Sequence, residues 1–320
     1  MSNKILIVAG DPNSINSEII FKSWKKLDIK IKRNIYIIAN YNLIYNQFKR
    51  LKLSTSLLKR SNLNDKPSNH FKIIDMPLYF KNPFKVLFNE ASKYVINSLN
   101  LAHDLAIKKR IKGIINCPID KRLIKTTKKI GVTEFLANKC RIKNKSEVMM
   151  IHNQTLSVVP ITTHIDIKNV EKNISSKIIL KKITTLNTNF KKIFKKKPKI
   201  AVLGLNPHNS EMRNLSFEKS KILPAIKKLK DKGFRIHGPL VADTIFMNNY
   251  KNYDVIVGMY HDQVLAPFKA LFHFNAINIT LGLNYIRVSP DHGTGADIIG
   301  KNKANYLSLF ECIRFINKLK

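Results

Sequence analysis

Three histidines each stand shortly after a β-rich run: Val158-Val159-Pro160-Ile161-Thr162-Thr163-His164, Val202-Leu203-Gly204-Leu205-Asn206-Pro207-His208 and Val255-Ile256-Val257-Gly258-Met259-Tyr260-His261. Neutral imidazole is a common ligand of divalent metals, and three imidazoles with open coordination positions make a catalytic metal site. Ligands of parallel α/β sheets bind beyond the carboxyl ends of the strands, so strand-end histidines would face one crevice edge. The competing reading is that each histidine caps its own turn. Asp262 and Gln263 follow the third histidine, and Lys269, Asn278, Arg287, Asp291 and His292 come further on. Lys269 and Arg287 suit a phosphate or carboxylate, lysine as a point charge and arginine as a planar fork; scattered surface cations are the alternative. Neither G-x-G-x-x-G nor G-x-x-x-x-G-K-[ST] occurs, so a bound nucleotide would not be held by a Rossmann or P-loop fingerprint.

These residues need elements to position them. Strand-like runs recur at residues 4–9, 34–39, 71–74, 113–117, 148–151, 156–161, 199–205, 253–259 and 276–280, most of them bounded by turn residues. Between them lie segments of helical spacing, clearest in Ala91, Val95, Ile96, Leu99, Ala102, Leu105 and Ala106. Further helices are expected over 175–194, 216–232 and 304–318. This alternation predicts an α/β fold with a largely parallel sheet. A chain of 320 residues suggests about two domains. No repeat, low-complexity linker or Gly/Ser-rich hinge marks their boundary, so the chain is expected to pass between them more than once.

The 57 Lys and Arg against 21 Asp and Glu give a net charge of +36. A nucleic-acid binder gathers its cations into a tail or one face, with stacking aromatics among them. Here lysines run from end to end. The one dense cluster, Lys191-Lys192-Ile193-Phe194-Lys195-Lys196-Lys197-Pro198-Lys199, straddles an expected helix end, where cations favour the negative end of the macrodipole. With abundant Ile and Asn, this dispersal reads as compositional drift, and nucleic acid is not an expected partner. A dispersed positive field still attracts anionic small substrates. No apolar run approaches the roughly 18 residues of a spanning helix, and Ile5-Leu6-Ile7-Val8-Ala9 is too short for a secretory segment. A cytoplasmic protein with no membrane partner is expected. Cys117, Cys140 and Cys312 form no C-x-x-C pair, so neither a disulfide framework nor a cysteine zinc site is indicated.

An ordered set of motifs then becomes specific: Gly10-Asp11-Pro12 with Glu18, Thr133-Glu134-Phe135, Thr162-Thr163-His164, Gly204-Leu205-Asn206-Pro207-His208, Gly238-Pro239-Leu240 with Ala242-Asp243-Thr244, Tyr260-His261-Asp262-Gln263, Asn278-Ile279-Thr280-Leu281-Gly282-Leu283 and Asp291-His292-Gly293-Thr294. Over nearly its whole length the chain resembles the 4-hydroxythreonine-4-phosphate dehydrogenases of vitamin B6 (pyridoxine) synthesis. The resemblance implies the two-domain fold of isocitrate and isopropylmalate dehydrogenases, which binds NAD without the Gly-rich turn. It implies a homodimer with active sites shared between subunits. On that pattern, residues 1–130, completed by 290–320, form one domain and 131–289 the other, with the active site in the cleft between them.

By the same resemblance His164, His208 and His261 are metal ligands supplied by both subunits, and Thr133, Lys269, Asn278 and Arg287 contact the phosphorylated substrate. The implied reaction oxidises the C3 hydroxyl of 4-phosphooxy-L-threonine with NAD, and the β-keto acid loses carbon dioxide to give 3-amino-2-oxopropyl phosphate. A metal on the hydroxyl lowers its pKa and then polarises the ketone. A carboxylate must accept or relay the hydroxyl proton, with Asp243 and Asp262 as candidates and turn capping as the alternative for each. Imidazole ligands do not decide among zinc, magnesium, manganese, cobalt and nickel, and NADP stays open beside NAD.

Two departures stand out. Val132 occupies the position of a family histidine, which removes one hydrogen bond to a charged substrate, worth roughly 1.5 to 3 kcal/mol. Ser14, Asn16 and Ser17 replace Gly, Gly and Pro, and a Cβ is hard to place at positive φ, so a different loop geometry is expected and no cofactor contacts are assigned there. Val132 motivates one alternative, a dehydrogenase of threonate or erythronate phosphate; Val132, the altered loop and the compositional drift together motivate another, a non-catalytic anion-binding homologue.

Overall fold

The computed structural model describes residues 3–127, 131–142, 146–247 and 249–319. Its strands in chain order are β1 (Ile5–Val8), β2 (Ile35–Ala39), β3 (Leu58–Arg60), β4 (Phe71–Asp75), β5 (Gly113–Asn116), β6 (Val148–His152), β7 (Ser157–Pro160), β8 (Ile200–Leu203), β9 (Ile236–Leu240), β10 (Val255–Gly258), β11 (Ile277–Leu281) and β12 (Arg287–Pro290). Helices lie between most of them. Every residue of β1, β2 and β5 is buried, as expected of strands covered on both faces in a parallel sheet. The chain forms two compact units, Met1–Arg141 with Leu283–Lys320, and Ile142–Gly282.

In the first unit the strands run in the order β3-β4-β2-β1-β5-β12, with parallel pairings throughout. The helix Phe88–Ile107 buries Ala91, Val95, Leu99, Ala102 and Ala106, a stripe at three- and four-residue spacing, in the same core as Leu6, Val8, Tyr36 and Ile114.

The second unit has the order β11-β6-β7-β10-β8-β9. β7, β10, β8 and β9 are parallel, while β6 runs antiparallel to both β7 and β11. Val158, Ala201, Leu203 and Ile256 meet Val264, Leu265 and Phe268 of the helix His261–Phe272 in its core. The helix Ser176–Phe194 is capped by the Ser175 hydroxyl, which accepts the Ile178 N–H, and it ends at Lys195 in the left-handed conformation. The lysine cluster does straddle this helix end.

The first unit extends past the expected boundary near residue 130; Ile130 itself lies outside the described residues. It runs on because the helix Val132–Lys139 buries Phe135 and Leu136 in its core. It resumes at residue 283 rather than 290 because Leu283 and Tyr285 pack on that core and Arg287 and Val288 pair with Ile114 and Ile115. Among the described residues no helix is long and apolar enough to cross a membrane.

Candidate active site

β7, β10 and β8 are neighbours in that order and parallel, so their carboxyl ends lie on one edge of the second unit. His164 follows β7, His208 follows β8, and His261 opens the helix behind β10. The His164 and His261 rings lie 5.5 Å apart between centroids. The Nδ1 atom of His261 meets Oδ1 of Asp262 at 2.6 Å. With its proton on Nδ1, that imidazole presents the Nε2 lone pair to a ligand, the usual arrangement behind a metal-binding histidine. Two imidazoles so placed fit as ligands of one divalent ion. Among the described residues no three His, Cys, Asp or Glu side chains of the single chain converge to hold a metal, so His208 does not complete the pair within one chain.

The segments that carry the histidines are fastened by side chains. Gln263 Oε1 accepts the Met259 N–H at 2.7 Å, and its Nε2 donates to the Gly204 carbonyl at 2.7 Å. The Met259 carbonyl accepts both the Thr162 N–H, at 3.1 Å, and the Thr162 hydroxyl, at 2.7 Å. Buried Glu218 accepts the Leu205 and Asn206 N–H groups, each at 2.9 Å. Burial pushes the Glu218 carboxyl up, but hydrogen bonds from these amides and the Ser210 hydroxyl outweigh it and hold its pKa below the usual value. Gly204 and Gly258 leave the room this fastening needs. A Cβ at Gly258 would meet Gln263 Oε1 at 2.9 Å, and one at Gly204 would meet Asn209 Oδ1 at 2.0 Å. Every residue from His208 to Met212 has positive φ, between 46° and 58°, forming a left-handed turn.

In the first unit Arg287 is buried on β12. Its Nε donates to Asn116 Oδ1 at 2.5 Å, and its Nη1 donates to Thr133 Oγ1 at 3.2 Å. Burial lowers its pKa to about 10, which leaves it charged at neutral pH. Asn116 was not singled out from the sequence, although a polar residue ending an otherwise apolar strand was a usable signal. Val132 is half-buried and packs against the core.

The other candidates are more dispersed. Lys269 is exposed on the helix His261–Phe272. The Asn278 Oδ1 atom is buried on β11 with no hydrogen-bond partner among the described residues. Asp243 is exposed in the short helix Ala242–Ile245. Asp262 has one oxygen engaged by His261.

At the ends of β1 and β5, Asn16 Nδ2 donates to the Ala9 and Pro118 carbonyls, both at 2.8 Å. Buried Asp11 accepts the N–H groups of Asn13, at 2.8 Å, and Asp120, at 3.2 Å, and burial raises its pKa to about 6. None of Ser14, Asn16 and Ser17 has positive φ; from residue 10 to 17 only Gly10 does, at 77°. Side chains at these three positions therefore meet no positive-φ penalty.

The family described as pyridoxal phosphate biosynthetic protein PdxA matches residues 30–316. A 4-hydroxythreonine-4-phosphate dehydrogenase of Sulfurihydrogenibium sp. is 39% identical over 99% of this chain and 98% of its own. One from Aquifex aeolicus is 37% identical over 100% and 99% of the two chains. Among solved structures, a 4-hydroxythreonine-4-phosphate dehydrogenase from Klebsiella pneumoniae superposes with a TM-score of 0.84 at 27% identity, covering 98% of both chains.

Proposed function

The chain belongs to the pyridoxal phosphate biosynthetic protein PdxA family, and from that premise we propose that it oxidises the C3 hydroxyl of 4-phosphooxy-L-threonine. The resulting β-keto acid decarboxylates to 3-amino-2-oxopropyl phosphate, a step in vitamin B6 synthesis. The observation that carries this reading is the meeting of His164 and His261 beyond the carboxyl ends of adjacent parallel strands.

A divalent ion on the imidazoles of His164, His208 and His261 would acidify the substrate hydroxyl and polarise the ketone, while NAD, with NADP the alternative, would take the hydride. Asp262 orients the His261 ring through Nδ1. Asp243 accepts the hydroxyl proton. The substrate phosphate is bound by Lys269 and Arg287, with Asn116 and Thr133 fixing the plane of the guanidinium. The unpartnered Oδ1 of Asn278 accepts a hydrogen bond from the substrate's polar end. A second copy of the chain completes the histidine set. Support for this homodimer comes from the incomplete set within one chain and from exposed Ile165, Ile167, Leu215 and Met247 on the segments after β7, β8 and β9.

The test is NADH formation by purified protein with 4-phosphooxy-L-threonine, NAD and a panel of divalent metals. Metal-dependent turnover is expected. Turnover only of threonate or erythronate phosphate, motivated by Val132, would move the reading to that related dehydrogenase. No turnover with any of these, despite substrate binding, would leave an anion-binding homologue.

A further inference from the structure

We propose that Gln263 is a positioning residue that, through its bonds to Met259 and Gly204, fixes the segments carrying His164 and His261 of one site and the His208 that the same chain lends to the other. The inference rests on the metal-site reading above. One carboxamide joins the end of β10, which leads to His261, to the end of β8, which leads to His208. Met259, held through its N–H, also anchors Thr162, two residues before His164, through its carbonyl. All three segments therefore meet at one side chain and the backbone of one residue, Met259. Glu218 acts beside it, holding the Leu205 and Asn206 amides that precede His208. The strands β7, β10 and β8 are already paired along their lengths, whereas this carboxamide ties only their ends.

The chemistry of residue 263 is restrictive. It must accept from an N–H and donate to a carbonyl in opposite directions at the same length, which a primary amide does and a carboxylate does not. Gln263→Glu keeps the acceptor for Met259 but turns a second acceptor toward the Gly204 carbonyl. Gln263→Met keeps length and bulk while losing both bonds. Gln263→Asn is too short to reach both.

The test uses the full chain and Co²⁺ as probe, read by equilibrium dialysis, by the visible absorption of the bound ion, and by thermal unfolding of the metal-free protein. All three variants should weaken Co²⁺ binding by about tenfold or more and alter the cobalt spectrum, as loss of a supporting residue does. Their metal-free forms should still unfold cooperatively, with midpoints lowered by no more than the few degrees that the lost hydrogen bonds cost. Wild-type affinity and spectrum in the folded variants would overturn the inference, and so would lowered midpoints with unchanged affinity. Failure of both Gln263→Glu and Gln263→Met to fold would overturn it as well, in favour of a purely structural role. If wild-type protein itself binds no Co²⁺, the metal-site reading falls too, which separates that failure from this one.

Discussion

Two side chains show how burial turns residue identity into measurable behaviour. Asp11 has its pKa raised by burial to about 6 from an ordinary 3.8. Because the folded value is the higher, its contribution to stability is fully present below the unfolded pKa and is lost as pH rises through about 6. The unfolding free energy of wild type relative to Asp11→Asn should fall by about 2 kcal/mol between about pH 4 and pH 7. A pH-independent difference in denaturant titrations would mean that Asp11 titrates normally in the folded chain. Arg287 is buried yet charged, held by the neutral oxygens of Asn116 and Thr133. A lysine cannot reproduce that planar pair of bonds while also meeting a phosphate. Arg287→Lys should therefore lower kcat/KM for the phosphorylated substrate by about tenfold or more, with little change for non-phosphorylated 4-hydroxythreonine. Equal proportional losses on both substrates would assign Arg287 to the fold.

At the scale of elements, the strand-end histidines were readable because each follows an apolar run that pattern alone marks as a strand. Their fastening was not readable, since nothing in the order of residues says that Gln263 spans from Met259 to Gly204. Three strands escaped for physical reasons. β3 is a short edge strand ending in Lys59 and Arg60, β9 contains Gly238 and Pro239, and β12 carries Arg287 and Ser289 although all of it is buried. The helix His261–Phe272 was hidden by Pro267 within it. Nor could sequence announce the left-handed turn His208–Met212, which contains no glycine. Each side-chain-bearing residue in that conformation costs roughly 1 to 2 kcal/mol. Exposed Glu211, at φ 46°, is the place to relieve it. Glu211→Gly should raise stability by up to about 1 kcal/mol after the entropic cost of glycine, seen as a higher unfolding midpoint. An unchanged or lower midpoint would mean the turn is held without strain.

For the whole molecule, the pairing of His164 with His261 makes the proposed shared site testable in mixtures. If His208 comes from the other copy, subunit exchange between His208→Ala and His261→Ala proteins yields one intact site per mixed dimer. Exchange between His164→Ala and His261→Ala proteins yields none. Activity should return in the first mixture only, and recovery in the second instead would place His164 and His261 in different subunits' contributions. The division of the chain has a separate consequence. The unit Ile142–Gly282 is one uninterrupted stretch, whereas the other needs β12 and the helix Leu307–Lys318, whose Leu309, Cys312, Ile313 and Ile316 are buried. During synthesis on the ribosome the amino-terminal stretch therefore emerges first but is the last to acquire all its parts. A fragment of residues 142–282 should fold cooperatively by itself, and a fragment of residues 1–141 should stay partly unfolded until 283–320 is supplied, as far-UV circular dichroism would register. The order of translation and the order of completion run opposite ways, because β1 and β2 are made long before residues 283–320 that complete their unit.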